Sequence, residues 1–255
     1  VTILGAVGKD MYADVQMNSL SAANVNTSRI LVKEDVGTGL ALITVNKEGN
    51  NNIIVVSGAN ATLSPKDIDD NLDIIMKSDI VILQLEIPLE TVCYAAKIAK
   101  KLGKIVILDP APAPENFPEE LYAYVDIIKP NETELEILTG IEHPEDHLEE
   151  ATEFIRKKGV KDVIVTLGEK GVYMNSAKLG IERVPAISVK AIDTTAAGDP
   201  FTAALAVMLA KGKALKDAVE FANYVAAIVV TRKGAQSSIP TLKEVISYIE
   251  AKENI

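Results

Sequence analysis

Short, nearly continuous apolar runs alternate with longer amphipathic ones over most of this chain. Asp79-Ile-Val-Ile-Leu-Gln84, Lys104-Ile-Val-Ile-Leu-Asp109, Asp126-Ile-Ile-Lys-Pro130 and Asp162-Val-Ile-Val-Thr-Leu167 have the length and Ile/Val content of buried strands. Thr91–Leu102, Thr133–Leu138 and Pro144–Lys158 carry helical spacing between them. Strands that are apolar on both faces and separated by helices predict a parallel sheet covered on both sides. The fold class is therefore α/β: a mostly parallel central sheet flanked by helices, joined by right-handed crossovers. Ligands of such sheets gather at the carboxyl ends of the strands. Gln84–Glu86, Asp109, Asn131–Glu134 and Thr166–Gly168 fall at those ends. The last third reads as helical, over Phe201–Ala210, Ala214–Arg232 and Thr241–Lys252.

Residues 29–57 follow a different pattern. Arg29-Ile-Leu-Val-Lys33, Gly39–Asn46 and Asn52–Ser57 are strand-like and are joined by turn-rich segments with no helix between them. They predict a small antiparallel subdomain, a lid or an interaction sheet. The whole chain, 1–255, suits one domain bearing this appendage.

Composition narrows the classes. Asp and Glu number 36 against 26 Lys and Arg, a net charge of −10. That disfavours a nucleic-acid partner, which would require a basic face, and leaves open a nucleotide held by backbone N–H groups. Cys93 is the single cysteine, so an intrachain disulfide is excluded. It sits in a helical stretch and is expected to pack as a small apolar residue. No apolar run reaches membrane-spanning length, and Val1-Thr-Ile-Leu-Gly5 lacks a basic n-region. No membrane association is expected, and a cytoplasmic location is the default. The chain opens without Met on strand-like residues, which suggests a boundary rather than a natural start.

The chemistry concentrates in Asp193-Thr-Thr-Ala-Ala-Gly-Asp199, which runs directly into the apolar helix. Ala196, Ala197 and Gly198 permit a tight turn. The N–H groups and positive dipole end of the helix would face an anion there. Asp199, in the first turn, is poorly placed to bind a phosphate and well placed to take a proton from an attacking hydroxyl. The alternative is a plain helix cap.

Other polar clusters carry two readings each. Asn131 and Glu134 are spaced to share a helix face and could hold Mg²⁺ directly or through its waters; the same residues could simply form a capping box. Thr166-Leu-Gly-Glu-Lys-Gly171 resembles a glycine-rich turn without P-loop spacing, or a β-turn before the strand that starts at Gly171. His143 and His147 have zinc-compatible spacing but lack a third ligand, and Pro144 fits the first position of a helix. Arg232-Lys-Gly-Ala-Gln-Ser-Ser238 reads as a helix stop with Gly234 at C′, whose carbonyls could also coordinate a monovalent cation.

Taken in order, Gly5-Ala-Val-Gly-Lys-Asp10, Thr38-Gly-Leu-Ala-Leu-Ile-Thr-Val45, Gly58-Ala-Asn-Ala61, Gln84–Glu90, Lys129–Glu134, Thr166–Gly171, Asp193–Asp199 and Val230–Pro240 resemble the ribokinase-like (PfkB) family of sugar kinases over nearly the whole chain. The resemblance implies ATP-dependent phosphorylation of the 5-hydroxyl of D-ribose. It implies that Asp199 is the base and that Ala196, Ala197 and Gly198 complete the anion hole around the transferred phosphoryl group. It implies that Asn131 and Glu134 position Mg²⁺, and that Asn131, Thr166, Gly168, Gly171 and Asn223 line the nucleotide. Glu86 with Asp199 would face the sugar. Asp193, Thr195, Val229, Arg232, Gly234 and Ser238 would surround K⁺, several through backbone carbonyls. Residues 29–57 would form a lid that also makes a homodimer. The family's first strand and its Gly-Gly-Lys-Gly-Ala-Asn segment have no counterpart before Gly5. An N-terminally shortened kinase with a sparse ribose half is therefore expected. The alternatives are a weak or inactive nucleotide-binding or oligomerising module, or a kinase for another sugar or nucleoside.

Overall fold

The computed structural model describes residues 1–45, 51–194 and 196–253. It divides into two compact units, Val1–Ser78 with Gln84–Gly103, and Asp79–Leu83 with Lys104–Ile255. The chain passes between them after Ser78, after Leu83 and after Gly103.

In the first unit, β1 (Thr2–Gly8) and β2 (Asn26–Lys33) pair in parallel through the crossover helix α1 (Met11–Ala22). β3 (Leu40–Val45) and β4 (Asn51–Val56) pair antiparallel. This corrects the expectation for residues 29–57. The Arg29–Lys33 strand lies beside β1, and the antiparallel part is β3 with β4. α2 (Pro65–Asp69), α3 (Leu72–Lys77) and α4 (Leu89–Lys101) complete the unit. Cys93 is half-buried on α4.

The resemblance motifs of this unit converge on one joint. The Asp10 carboxylate caps α1 by accepting the Tyr12 and Ala13 N–H groups at 3.1 and 3.0 Å. It also accepts the Thr38 N–H at 2.7 Å, and Thr38 Oγ1 in turn accepts from Gly8 N at 3.0 Å. The Thr38 backbone hydrogen bond chiefly holds the Asp10 carboxyl below its usual range. Asn60 Oδ1 accepts from Ala6 N at 2.9 Å, tying the Gly58–Thr62 turn to β1.

The second unit holds β5 (Ile80–Leu83), β6 (Ile105–Leu108), β7 (Ile127–Ile128), β8 (Asp162–Thr166), β9 (Val172–Ser176) and β10 (Gly180–Val184) in one six-stranded sheet, ordered β10-β9-β8-β7-β6-β5. β5 to β8 run parallel, and β9 and β10 are antiparallel additions. Its helices are α5 (Glu132–Thr139), α6 (Leu148–Lys157), α7 (Gly198–Ala210), α8 (Leu215–Val229) and α9 (Leu242–Glu253). Ile107, Ile127, Ile164 and Met174 pack against Phe201 and Leu205 of α7 and Val219, Ala222 and Val229 of α8. The alternate residues point the other way. There Asn175 of β9 donates to Thr152 of α6 at 3.1 Å, so helices cover both faces. The carboxyl ends of β6 and β7 lie beside the start of α7, through Asp109 with Thr202 and Lys129 with Gly198.

Candidate active site

Each parallel strand ends on a residue the sequence singled out. Asp109 follows β6, Lys129 to Asn131 follow β7, and Thr166 ends β8. Thr166 N donates to Pro130 O at 3.1 Å, and Asn131 and Thr166 bridge as neighbouring strands do. Asn131 and Thr166 are thereby brought together. Asn131 then caps α5: its Oδ1 accepts from Glu134 N at 2.8 Å, while Glu134 Oε2 accepts from Asn131 N at 2.9 Å. The capping box is therefore real. Burial pushes the Glu134 carboxyl above its usual range, although the Asn131 N–H and Lys129 draw it back down; Asp109 and Asp199 repel it further.

α7 begins at Gly198 after the Ala196–Ala197 turn, with Asp199 exposed in its first turn and Pro200 to Thr202 buried immediately behind. The base candidate is thus carried on a helix whose next residues are locked in the core. Beneath that turn lies a group the motif reading left without a role. Lys129 is buried, and its Nζ sits 2.9 Å from Asp109 Oδ2. A Cβ added at Gly198 would stand 3.2 Å from the same nitrogen. The Thr202 hydroxyl lies 2.8 Å from Asp109 Oδ2 and 3.1 Å from Gly198 O. The only sequence signal was that Asp109 and Lys129 end neighbouring Ile-rich runs.

Gly168 opens the short 168–170 turn and Gly171 closes it, both at positive φ. Asn223 is buried on α8, where its amide donates to Pro185 O at 2.8 Å. This fixes α8 against the stretch after β10. Glu86 is exposed in the 84–88 loop of the first unit.

The loop after α8 docks on the segment before the Ala196–Ala197 turn. Ile192 N and Asp193 N donate to Val230 O at 2.7 and 3.2 Å, and Asp193 Oδ2 accepts from Gly234 N at 3.1 Å. Val229 ends α8, and buried Ser238 donates to Ala235 O at 2.6 Å. Arg232 turns its guanidinium to Glu244 at 2.7 Å. Thr195 lies outside the described residues. His143 adopts φ 49° before the Pro144–Asp146 turn, while His147 precedes α6, so the two do not share a helix face. Among the described residues, no group of three or more His, Cys, Asp or Glu side chains is arranged to hold a metal ion. No helix among them is long and apolar enough to cross a membrane.

Glu244 supplies a pH test of the α9 start. Its carboxyl is held down to about 2, first by the Thr241 N–H, then by the Thr241 hydroxyl and Arg232. A carboxyl depressed on folding stabilises the fold above its unfolded value of 4.5, and that contribution is lost as pH falls toward about 2. Amide protection at the start of α9 should fall across this window in the wild-type protein. E244Q should show weak protection already at neutral pH, with no such dependence; equal protection in the two proteins would refute the link.

Comparison with known proteins identifies the family. The model of the pfkB family carbohydrate kinases matches residues 1–242. The chain belongs to that family. It is 41% identical over 246 residues to a ribokinase from Staphylococcus aureus, covering 96% of this chain and 80% of that protein. It is 37% identical to a deoxyribokinase from Salmonella typhi, covering 99% and 83%. Among solved structures, Arabidopsis thaliana ribokinase complexed with ribose and ATP superposes with a TM-score of 0.89 at 34% identity, covering 98% of this chain and 81% of that one.

Proposed function

We infer that this chain is an ATP-dependent sugar kinase that transfers a phosphoryl group to the 5-hydroxyl of D-ribose. One observation carries the reading: α7 presents its free N–H groups and Asp199 next to the capped start of α5, at the carboxyl ends of the parallel strands. Ala196, Ala197 and Gly198 form the turn at which the helix dipole meets the transferred group. Asp199 takes the proton of the attacking hydroxyl. Asn131, Thr166, Gly168, Gly171 and Asn223 are read as the nucleotide side, and Glu86 as a sugar contact.

Two ions fit the residues present. The capping box uses one carboxylate oxygen of Glu134, so Asn131 and Glu134 offer few direct donors. Mg²⁺ suits such a site, because it keeps several waters and relies on substrate phosphates. It would neutralise charge on the ATP phosphates. Asp193, Thr195, Val229, Arg232, Gly234 and Ser238 are read as the K⁺ surroundings; the docking of 192–193 on 230–234, which brings these two segments together, supports this. The β3–β4 ribbon is read as the lid and homodimer surface. Leu42, Ile43, Ile54, Val55 and Val56 are exposed on it, and a two-stranded ribbon with that much apolar surface is marginal alone. The compartment is read as cytoplasmic.

A coupled ADP-release assay with D-ribose, 2-deoxy-D-ribose, fructose and adenosine tests the substrate. D-ribose should exceed each competitor in kcat/KM by about tenfold or more: 2-deoxy-D-ribose lacks a hydroxyl and leaves its site partner unpaired, while fructose and adenosine carry extra bulk. A competitor ahead of ribose would overturn the assignment.

A further inference from the structure

We propose that Lys129 is a positioning residue for phosphoryl transfer, a buried cation that Asp109 and Thr202 clamp beneath the first turn of α7. The inference rests on Asp199 being the base. The three side chains come from the ends of β6 and β7 and from α7 itself, so the clamp joins the sheet to the helix that carries Asp199. The Thr202 hydroxyl lies within hydrogen-bond distance of both Asp109 Oδ2 and Gly198 O. The ammonium stands against Gly198, where any side chain would crowd it.

Stability alone is a weak reason for this arrangement. Both charged side chains are almost fully buried, at 4% and 2% exposure. Among the described residues, Asp109 Oδ1 has no hydrogen-bond partner. A buried ion pair with an orphaned oxygen is commonly no better for the fold than an apolar pair of the same size. What an apolar pair could not supply is a fixed positive charge at the point where the helix dipole already favours an anion. Lys129 and Asp199 both act on Glu134 electrostatically, so the cation lies within the field of the site.

The test replaces the pair together. K129M/D109L leaves no buried charge unpaired and should keep the wild-type melting temperature or raise it. Its kcat should fall about 10- to 100-fold, with KM for ATP nearly unchanged. A pair that served the fold alone would leave kcat in place once the melting temperature is kept. T202V is the second arm: it removes the link to α7 but keeps the charge. Its kcat should fall about tenfold, again with KM for ATP nearly unchanged. A folded double variant with wild-type kcat overturns the proposal. If the double variant does not fold, T202V decides, and wild-type kcat there overturns it equally. D199N runs beside them. Turnover retained in D199N would show that the base assignment is wrong, whereas an inactive D199N with an unaffected double variant locates the failure at Lys129.

Discussion

Asp199→Asn should lower kcat by on the order of 10²–10⁴-fold, the range for loss of a general base. ATP affinity should change little, and the fold should stay intact. Magnitudes separate this from the helix-cap alternative. Asp199 is exposed in the first turn of α7, where the interaction of its charge with the helix dipole contributes about 0.3–1 kcal/mol of stability. The catalytic reading asks for roughly 3–5 kcal/mol on the barrier, at about 1.4 kcal/mol per factor of ten. Steady-state kinetics with thermal unfolding of the same sample distinguish the two. Wild-type turnover with a slightly lowered melting temperature would reduce Asp199 to a cap.

Gly171→Ala should be the most damaging single-methyl change in the second unit, destabilising by about 3–5 kcal/mol. The residue has φ +88° and ψ −134°, a region essentially reserved for glycine. A Cβ there would stand 2.2 Å from Val184 O and 2.6 Å from Ala186 N. These are backbone atoms of the segment that ends β10 and leads away from it, so no flexible side chain can yield. Gly168→Ala is the contrasting case. It has φ +52° but no atom within 4 Å of the added carbon, so only the left-handed backbone term remains, about 1–2 kcal/mol. Urea unfolding of both variants checks the difference. G168A, being folded, can also be titrated with ATP, which probes the nucleotide-contact reading free of the folding defect. Equal unfolding midpoints would show that the chain after Val184 relaxes away from Gly171.

The parts of the fold legible in the sequence are those where composition and periodicity agree. β5, β6 and β8 are Ile/Val runs bounded by polar residues, and both faces of such strands must be covered. α4, α6 and α8 show their stripes plainly. α1 is not legible because it has no stripe: Ala13 is its one buried residue, while Met11, Tyr12 and Val15 are exposed. Without that crossover helix, nothing along the chain says that Arg29–Lys33 pairs with β1 rather than with the strands that follow it. β10 is hard to read for a related reason, since Gly-Ile-Glu-Arg-Val has two charged residues in five and lies mostly exposed. The site was legible where one segment carries all its parts, as at Asp193–Asp199. Asn131 and Glu134 allowed a cap or an ion site, and the geometry realises the cap while leaving one carboxylate oxygen to spare. Lys129 was opaque because its partner is twenty residues away. Their pairing exists only once β6 and β7 lie side by side.

The three passages of the chain between units have a practical consequence for dissection. Neither unit is a contiguous stretch of gene. A fragment ending at Ser78 would lose α4, whose Thr91 hydroxyl donates to Leu63 O at 2.9 Å and whose Tyr94 hydroxyl donates to Asp69 at 2.7 Å. A fragment starting at Lys104 would lose β5, the edge strand whose Leu83 O accepts from Asp109 N at 2.9 Å. To isolate the first unit, 1–78 must be spliced directly to 84–103. To isolate the second, residues 79–83 must be grafted ahead of Lys104, with a new linker in place of the excised helix.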